Sequence, residues 1–452
     1  MKKIIALILS AVMIFMLTSC GKKNDDSNAS GGKDALEIYY LNFKPEIADI
    51  YKEIATAYEK ETGVKVKVVT AASDSYETTL KSEIAKTDAP TIFQINGMVG
   101  YTAWKNYCLD LKDTKIYSYL LDKDMVIKDG DGIYGIPYVV EGFGIIYNNE
   151  IMEKYFALKD KAVSITSAQE IKNFSLLKAV VQDMTKHKSE LGIDGVFAST
   201  SMAGGEAWRW ESHLASVPIY YEMKDLDKSA SAIATAYNAK EIKFTYADKY
   251  KNLFDLYTDN SVSEKGVLGS KSVEDSMSEF ALGKAAMVQN GNWAWSQIKN
   301  VSGNKVKEDN IKYLPLYTGV DGEENQGLCI GTENYLAINS KVSKEKQEAS
   351  LKFLEWLFSS DTGKKYVTEK LEFITPFNTF ADDEKPSDPL AREVIDWMNR
   401  DVRTIDWTFN SFPSQDFKSA FSDALLEYVQ GTKDWDYVKK TCLLYTSDAA
   451  DD

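Results

Sequence analysis

The chain has 452 residues, with 53 Lys or Arg against 68 Asp or Glu, for a net charge of −15. So acidic a surface repels phosphate backbones, which argues against nucleic-acid binding. Four cysteines in this length make neither a disulfide framework nor a metal-ligand spacing.

At the N-terminus Lys2 and Lys3 precede an apolar run from Ile4 to Leu17, broken by Ser10. That length suits a signal peptide and falls short of a comfortable membrane span. The run closes on Leu17-Thr18-Ser19-Cys20-Gly21, which resembles a bacterial lipobox. The resemblance implies a signal peptide over 1–19 and lipid on Cys20. The alternative is an ordinary secretory signal with an incidental cysteine. The polar stretch 20–34 has nothing large to bury and reads as a flexible tether. A soluble domain held outside the cell on a lipid anchor is the expectation.

Beyond the tether, Leu36 to Leu41 has strand character. A helical stretch follows with Ile47, Ile50, Tyr51, Ile54 and Tyr58 on one face and Gly63 as its stop. Val64 to Val69 is a second strand, Tyr76, Leu80 and Ile84 mark a second helix, and Thr91 to Ile95 a third strand. This alternation predicts a parallel sheet flanked by helices, with ligand bound beyond the carboxyl ends of the strands. Lys128 to Gly135 reads as a hairpin turn whose aspartates do not fit a calcium loop. Residues 145–280 mix helical patterns with an aromatic cluster at 204–214. Lys344 to Phe358 is an amphipathic helix, and Ser414 is placed to cap another that carries Phe417, Phe421, Leu425 and Tyr428. Cys108 and Cys329 are read as two unpaired, partly buried thiols, although a pairing outside the cell stays open. Residues 442–452, with Cys442 and Tyr445, match the translation of an adapter used in preparing sequencing libraries. They are read as foreign to the natural chain.

Two stretches carry most of the functional content. Asp131 to Met152 places one acid, Glu141, in an apolar run beside Gly142 and Gly144, and a carboxylate there is costly without a partner. Gly283 to Ile298 ends a strand-like run in a loop bearing Trp293 and Trp295. With "AYEKETGVKVKV", "APTIF" and "LAINSKVSKEKQEASLKFLEWL", these stretches resemble the extracellular solute-binding proteins of carbohydrate ABC importers, the maltose-binding-protein-like family. The resemblance implies an α/β, two-lobed periplasmic-binding-protein fold, each lobe a mainly parallel sheet flanked by helices. Residues 35–140 and 296–340 form one lobe and 141–295 and 341–441 the other. Hinges fall near Glu141–Gly144 and Gln289–Trp293.

The same resemblance implies a sugar, favoured as an oligosaccharide, held between the lobes and passed unchanged to an ABC permease by a monomer that needs no cofactor or metal. Sugars offer apolar C–H faces and hydroxyl edges, so flat aromatic rings and in-plane polar groups suit them. Carried over residue by residue, Trp293 is a stacking platform and Glu141 a hydroxyl acceptor. Asn42 and Lys44 fall in the first ligand loop, and Gln94 and Asn96 at the end of the third strand. Trp208, Arg209 and Trp210 lie near an aromatic contact of the second lobe, with the inward-pointing one left open. Trp407 and Phe417 are further candidates, and Trp295 is read as core. The first loop, "NFKPE", lacks an aspartate that the maltose receptor carries, so maltose itself is in doubt. The rival readings are a lipid-anchored glycoside hydrolase, which needs two carboxylates across one bond, and a metal or peptide receptor of similar architecture.

Overall fold

The computed structural model describes residues 36–71, 75–239, 241–381 and 383–448, with side chains described to Leu443. The lipobox with Cys20, and the tether, lie outside the described residues. In chain order the first strands are β1 (Glu37–Asn42), β2 (Lys65–Thr70), β3 (Ile92–Asn96), β4 (Ile127–Asp129), β5 (Gly132–Pro137) and β6 (Glu141–Asn148). They are followed by β7 (Gly195–Phe197), β8 (Ala285–Gly291), β9 (Ile311–Leu314), β10 (Gln326–Gly331), β11 (Asn334–Ile338) and β12 (Arg403–Ile405).

Two sheets carry the two lobes. The first runs β2-β1-β3-β11-β5-β4; the second runs β12-β10-β6-β8-β7, with β9 also on β6. Strands β1, β2 and β3 are parallel, as the alternation predicts, and β11 enters antiparallel between β3 and β5. Each sheet is packed on both faces. Along β1, Ile38 and Tyr40 join one apolar cluster while Tyr39 and Leu41 join the other. Along β6, Phe143, Ile145 and Tyr147 face one core and Ile146 the opposite one. Among the described residues no helix is long and apolar enough to cross a membrane.

Local signals act where the sequence places them. Gly63 ends the helix Ala48–Thr62 with φ +74°, a conformation that costs glycine little. Gly130 turns the β4–β5 hairpin at φ +57°. The Ser414 hydroxyl accepts the Phe417 N–H and caps the helix Gln415–Val429. Trp295 is buried in the second lobe, and Cys108 and Cys329 are buried thiols, one in each lobe. The helix Trp435–Asp448 continues into the segment read as foreign and buries Cys442 against the second lobe, so a packing pattern exists where none was expected.

The lobe boundaries differ from the expectation. β9 and β10, which fall within 296–340, pair with β6 in the second sheet. The helix Lys344–Ser359, assigned above to the second lobe, packs Phe353, Leu354 and Leu357 into the core of the first. The chain therefore crosses between lobes at 138–140, at Thr332–Glu333, and again between Phe377 and Pro389.

Of the two expected hinges, the first lies beside the crossing at 138–140, and the second, at Gln289–Trp293, is not a crossing. Glu141–Gly144 already lies in paired strand, and β8 with the helix Ala294–Lys299 after it stays in the second lobe. Gly142 and Gly144 serve close packing: a Cβ on Gly142 would stand 2.7 Å from Val394 Cγ2, and one on Gly144 2.5 Å from the Leu314 carbonyl oxygen.

Candidate ligand-binding cleft

The loop after β1 and the start of β6 meet across the two lobes. Lys44 Nζ donates to Glu141 Oε1 at 2.7 Å, lies 3.8 Å from Glu46 Oε1, and stands 5.9 Å from the centre of the Trp293 ring. Burial pushes the Lys44 ammonium toward neutrality, but the charges of Glu141 and Glu46 outweigh it and hold the group protonated well above its usual range. Burial lifts the Glu46 carboxyl, against the pull of Lys44.

Asn42 shapes this loop from within. Its Oδ1 accepts the Lys44 N–H, and its Nδ2 donates to the Lys44 carbonyl and to Thr70 Oγ1. Gln94 is likewise consumed by the fold, accepting the Phe43 N–H and donating to the Tyr138 hydroxyl. Both are fully buried, so their place is beneath the loop that presents Lys44 and not against a ligand. Asn96 is half-buried and donates to Glu333 Oε1 at 2.9 Å, on the crossing between β10 and β11.

Trp293 is held by a lock between strands. The Gly142 N–H donates to Asn292 Oδ1 at 2.9 Å, and the Asn292 N–H returns a bond to the Gly142 carbonyl at 3.1 Å. The indole folds back over Gly291, where a Cβ would lie 2.1 Å from Trp293 Cη2. Glycine at 291 is therefore what lets the ring lie there. The lock ties the loop that carries Trp293 to the start of β6 without any crossover at this loop.

Trp293 belongs to an aromatic group centred on His213. The His213 ring stacks on Phe143 at 4.0 Å and 5°, with Trp208 at 5.0 Å, Trp293 and Phe409 both at 5.6 Å, and Trp407 at 6.2 Å. Trp208 and Trp293 are partly exposed, their rings 6.1 Å apart. Trp407 is buried, its ring packed over Gly331, where a Cβ would stand 2.7 Å from Cγ. Of the three residues left open above, Trp208 is the one that joins Trp293. Trp210 is a core residue, edge-on to Phe254 and Tyr257, and Arg209 lies fully buried under Trp208. Phe417 is also core, beside Phe412 and Phe421.

His213 was not selected from the sequence. It sits on a turn, Arg209–Leu214, widened to π geometry just before a helix that contains Pro218. Proline has no N–H to return to the preceding turn, and such widened turns recur at functional sites. Burial, then the nearby charges of Arg209 and Lys418, hold the imidazole pKa well below its usual value, so the ring is neutral.

On the same turn, burial pushes Glu211 up to about 7, against Lys418 and a hydrogen bond from Ser422. An unfolded glutamate titrates near 4.3. The folded chain therefore binds the extra proton between those values, and this group's contribution to stability falls as pH rises from about 4.5 through 7. Glu211→Gln should be more stable than the parent at pH 8, by up to about 3 kcal/mol, and indistinguishable from it near pH 4. Urea melts of both proteins across that range check it; a difference that does not change with pH would count against the shift.

Outside the cleft, Asp160, His187 and Glu190 bring ligand-type atoms within 4.8 Å of one another, a grouping not visible as sequence spacing. His187 Nδ1 lies 2.9 Å from Glu190 Oε1 there.

Residues 53–394 match the family described as bacterial extracellular solute-binding protein. The chain belongs to that family. This solute-binding protein is 23% identical over 407 residues to the maltooligosaccharide ABC transporter solute-binding lipoprotein of Streptococcus pneumoniae serotype 4, covering 87% of this chain and 85% of that one. A shorter match, 28% identical over 159 residues, is to the melibiose/raffinose/stachyose-binding protein MelE of Bacillus subtilis (strain 168). That match spans 34% of this chain and about a third of the relative, 36% of its length. Among solved structures, a chitin oligosaccharide binding protein superposes with a TM-score of 0.69 at 16% identity, over 92% of this chain and 99% of that one. At that identity the likeness speaks for the two-lobed fold alone.

Proposed function

We propose that this solute-binding protein captures a neutral oligosaccharide between its lobes and delivers it, chemically unchanged, to the permease of an ABC importer. In this reading it acts as a monomer anchored to the outer face of the membrane through lipid on Cys20. The observation that carries the reading is the pairing of the partly exposed Trp208 and Trp293 rings with the buried Lys44–Glu141 ion pair, at the junction of the lobes. The rings supply apolar faces for sugar C–H groups, and Glu141 and Lys44 supply an acceptor and a donor at the ring edge. Oligosaccharide-binding relatives named over most of the chain support the same class.

Thermal unfolding of the protein against melibiose, raffinose, stachyose and maltotriose tests it. A sugar at about a hundred times its Kd adds roughly 2.7 kcal/mol, which raises Tm by about a degree or more. Recovery of the sugar intact is the expected result. Cleavage of the sugar would replace this reading by a hydrolase, and shifts with peptides or metals but with no sugar would remove the carbohydrate claim.

A further inference from the structure

Beneath the aromatic group, the second lobe buries polar groups that the fold leaves unmet. Gln289 is 1% exposed, and neither its Oε1 nor its Nε2 has a partner. Arg209 is fully buried; its two Nη atoms reach Ser276 Oγ at 3.4 and 3.3 Å and its Nε has no partner, and among the described residues no carboxylate forms an ion pair with it, the charge of Glu206 acting only from farther off. His213 Nδ1 is unpartnered as well. A buried amide without partners, or a guanidinium only partly met, is costly, and an apolar side chain at either position would avoid that cost.

Strand pairing fixes where these groups point. Ile145 lies opposite Gln289 and Phe143 opposite Gly291, and directly paired residues share a face of the sheet. The Gln289 side chain therefore stands on the face that carries Phe143, two residues along β8 from the glycine covered by the Trp293 indole. The Tyr257 hydroxyl accepts the Gln289 N–H at 3.3 Å and the Thr200 hydroxyl at 2.7 Å. Arg209 lies 5.2 Å under the Trp208 ring. Trp208, whose ring covers Arg209, is itself partly exposed.

We propose that Gln289 and Arg209 form a hydroxyl-binding floor under the Trp208–Trp293 pair, which takes two neighbouring hydroxyls of the sugar ring stacked on Trp293. Gln289 Oε1 accepts from one hydroxyl, while Gln289 Nε2 and the guanidinium donate to the oxygen of the next. An amide offers a donor and an acceptor side by side, and a vicinal diol does the same. The proposal rests on the carbohydrate reading above and assigns that site an uncharged ring bearing a vicinal diol.

Calorimetric titration of the parent and of Gln289→Leu separates the two claims, using whichever of melibiose, raffinose, stachyose or maltotriose the parent binds. The variant removes both amide atoms at similar volume; Gln289→Met serves if it does not fold. Affinity should fall at least about tenfold while the ligand-free Tm stays level or rises. Singly deoxygenated analogues of that sugar complete the test. The analogue that weakens binding to the parent about tenfold should cost the variant nothing. Unchanged affinity with a raised Tm would mean that the amide holds internal water, and would overturn the floor. Tighter binding of the matching uronic acid would give the guanidinium to a carboxylate and overturn the neutral diol. If the parent binds none of the four sugars, the carbohydrate reading falls and the floor with it.

Discussion

Replacing Trp293 by Ala should lower sugar affinity by roughly 70-fold and leave cooperative unfolding intact. The indole is partly exposed in the ligand-free protein, so its loss empties no sealed core. A sugar stacked on it would cover about 100 Å² of ring face, worth roughly 2.5 kcal/mol at ~25 cal/mol per Å². Trp293→Phe keeps a flat ring of smaller area and should fall between the two. Gly291→Ala should imitate the loss by a different route, since its new Cβ would strike the indole and displace it. Titration calorimetry on the three variants checks the order. Parent-like affinity in Trp293→Ala would take the ring out of the site.

Lys44→Ala carries the largest expected loss of stability, about 3 kcal/mol. The side chains of Lys44 and Glu141 are 11% and 5% exposed, so the pair is buried. Removing the ammonium leaves the Glu141 carboxylate in an apolar strand with its counter-charge gone, and breaking such a pair costs more than forming it gains. Glu141→Gln should be milder, because the amide keeps an acceptor and Lys44 keeps Glu46 nearby. The double variant should recover part of the loss. Chemical denaturation of all three proteins measures the set, and a Lys44→Ala change within about 0.5 kcal/mol would mean that the pair is too well solvated to matter. The pair also joins the loop after β1 in one lobe to the start of β6 in the other. Its loss should therefore weaken ligand binding even where no atom of Lys44 touches the sugar.

Much of the local structure could be read from the chain because its causes are local. The β1–β3 alternation, the stop at Gly63, the turn at Gly130 and the cap at Ser414 each depend on residues within a few positions of one another. Lobe membership does not. Nothing near Gln326 or Ile311 says that β9 and β10 will pair with β6, or that β11 will pass into the other sheet two residues after β10 ends. The site divides in the same way. Trp293 and Glu141 announce themselves by composition, whereas Asn42 and Gln94 look like ligand contacts until their hydrogen bonds within the fold are seen. His213 and Gln289 enter through a widened turn and a strand register, both products of long-range packing.

The place of β11 bears on how the molecule comes into being. In the first sheet it lies between β3 and β5, and the helix Lys344–Ser359 that follows it supplies part of that lobe's core. Until Asn334–Ile338 has been made, no strand joins the β1–β3 layer to the β4–β5 hairpin, although both left the ribosome some two hundred residues earlier. Closing a loop of that length delays the lobe and favours slow assembly. A nascent chain of this topology stays unfinished through most of its synthesis, which suits a member of an extracellular family.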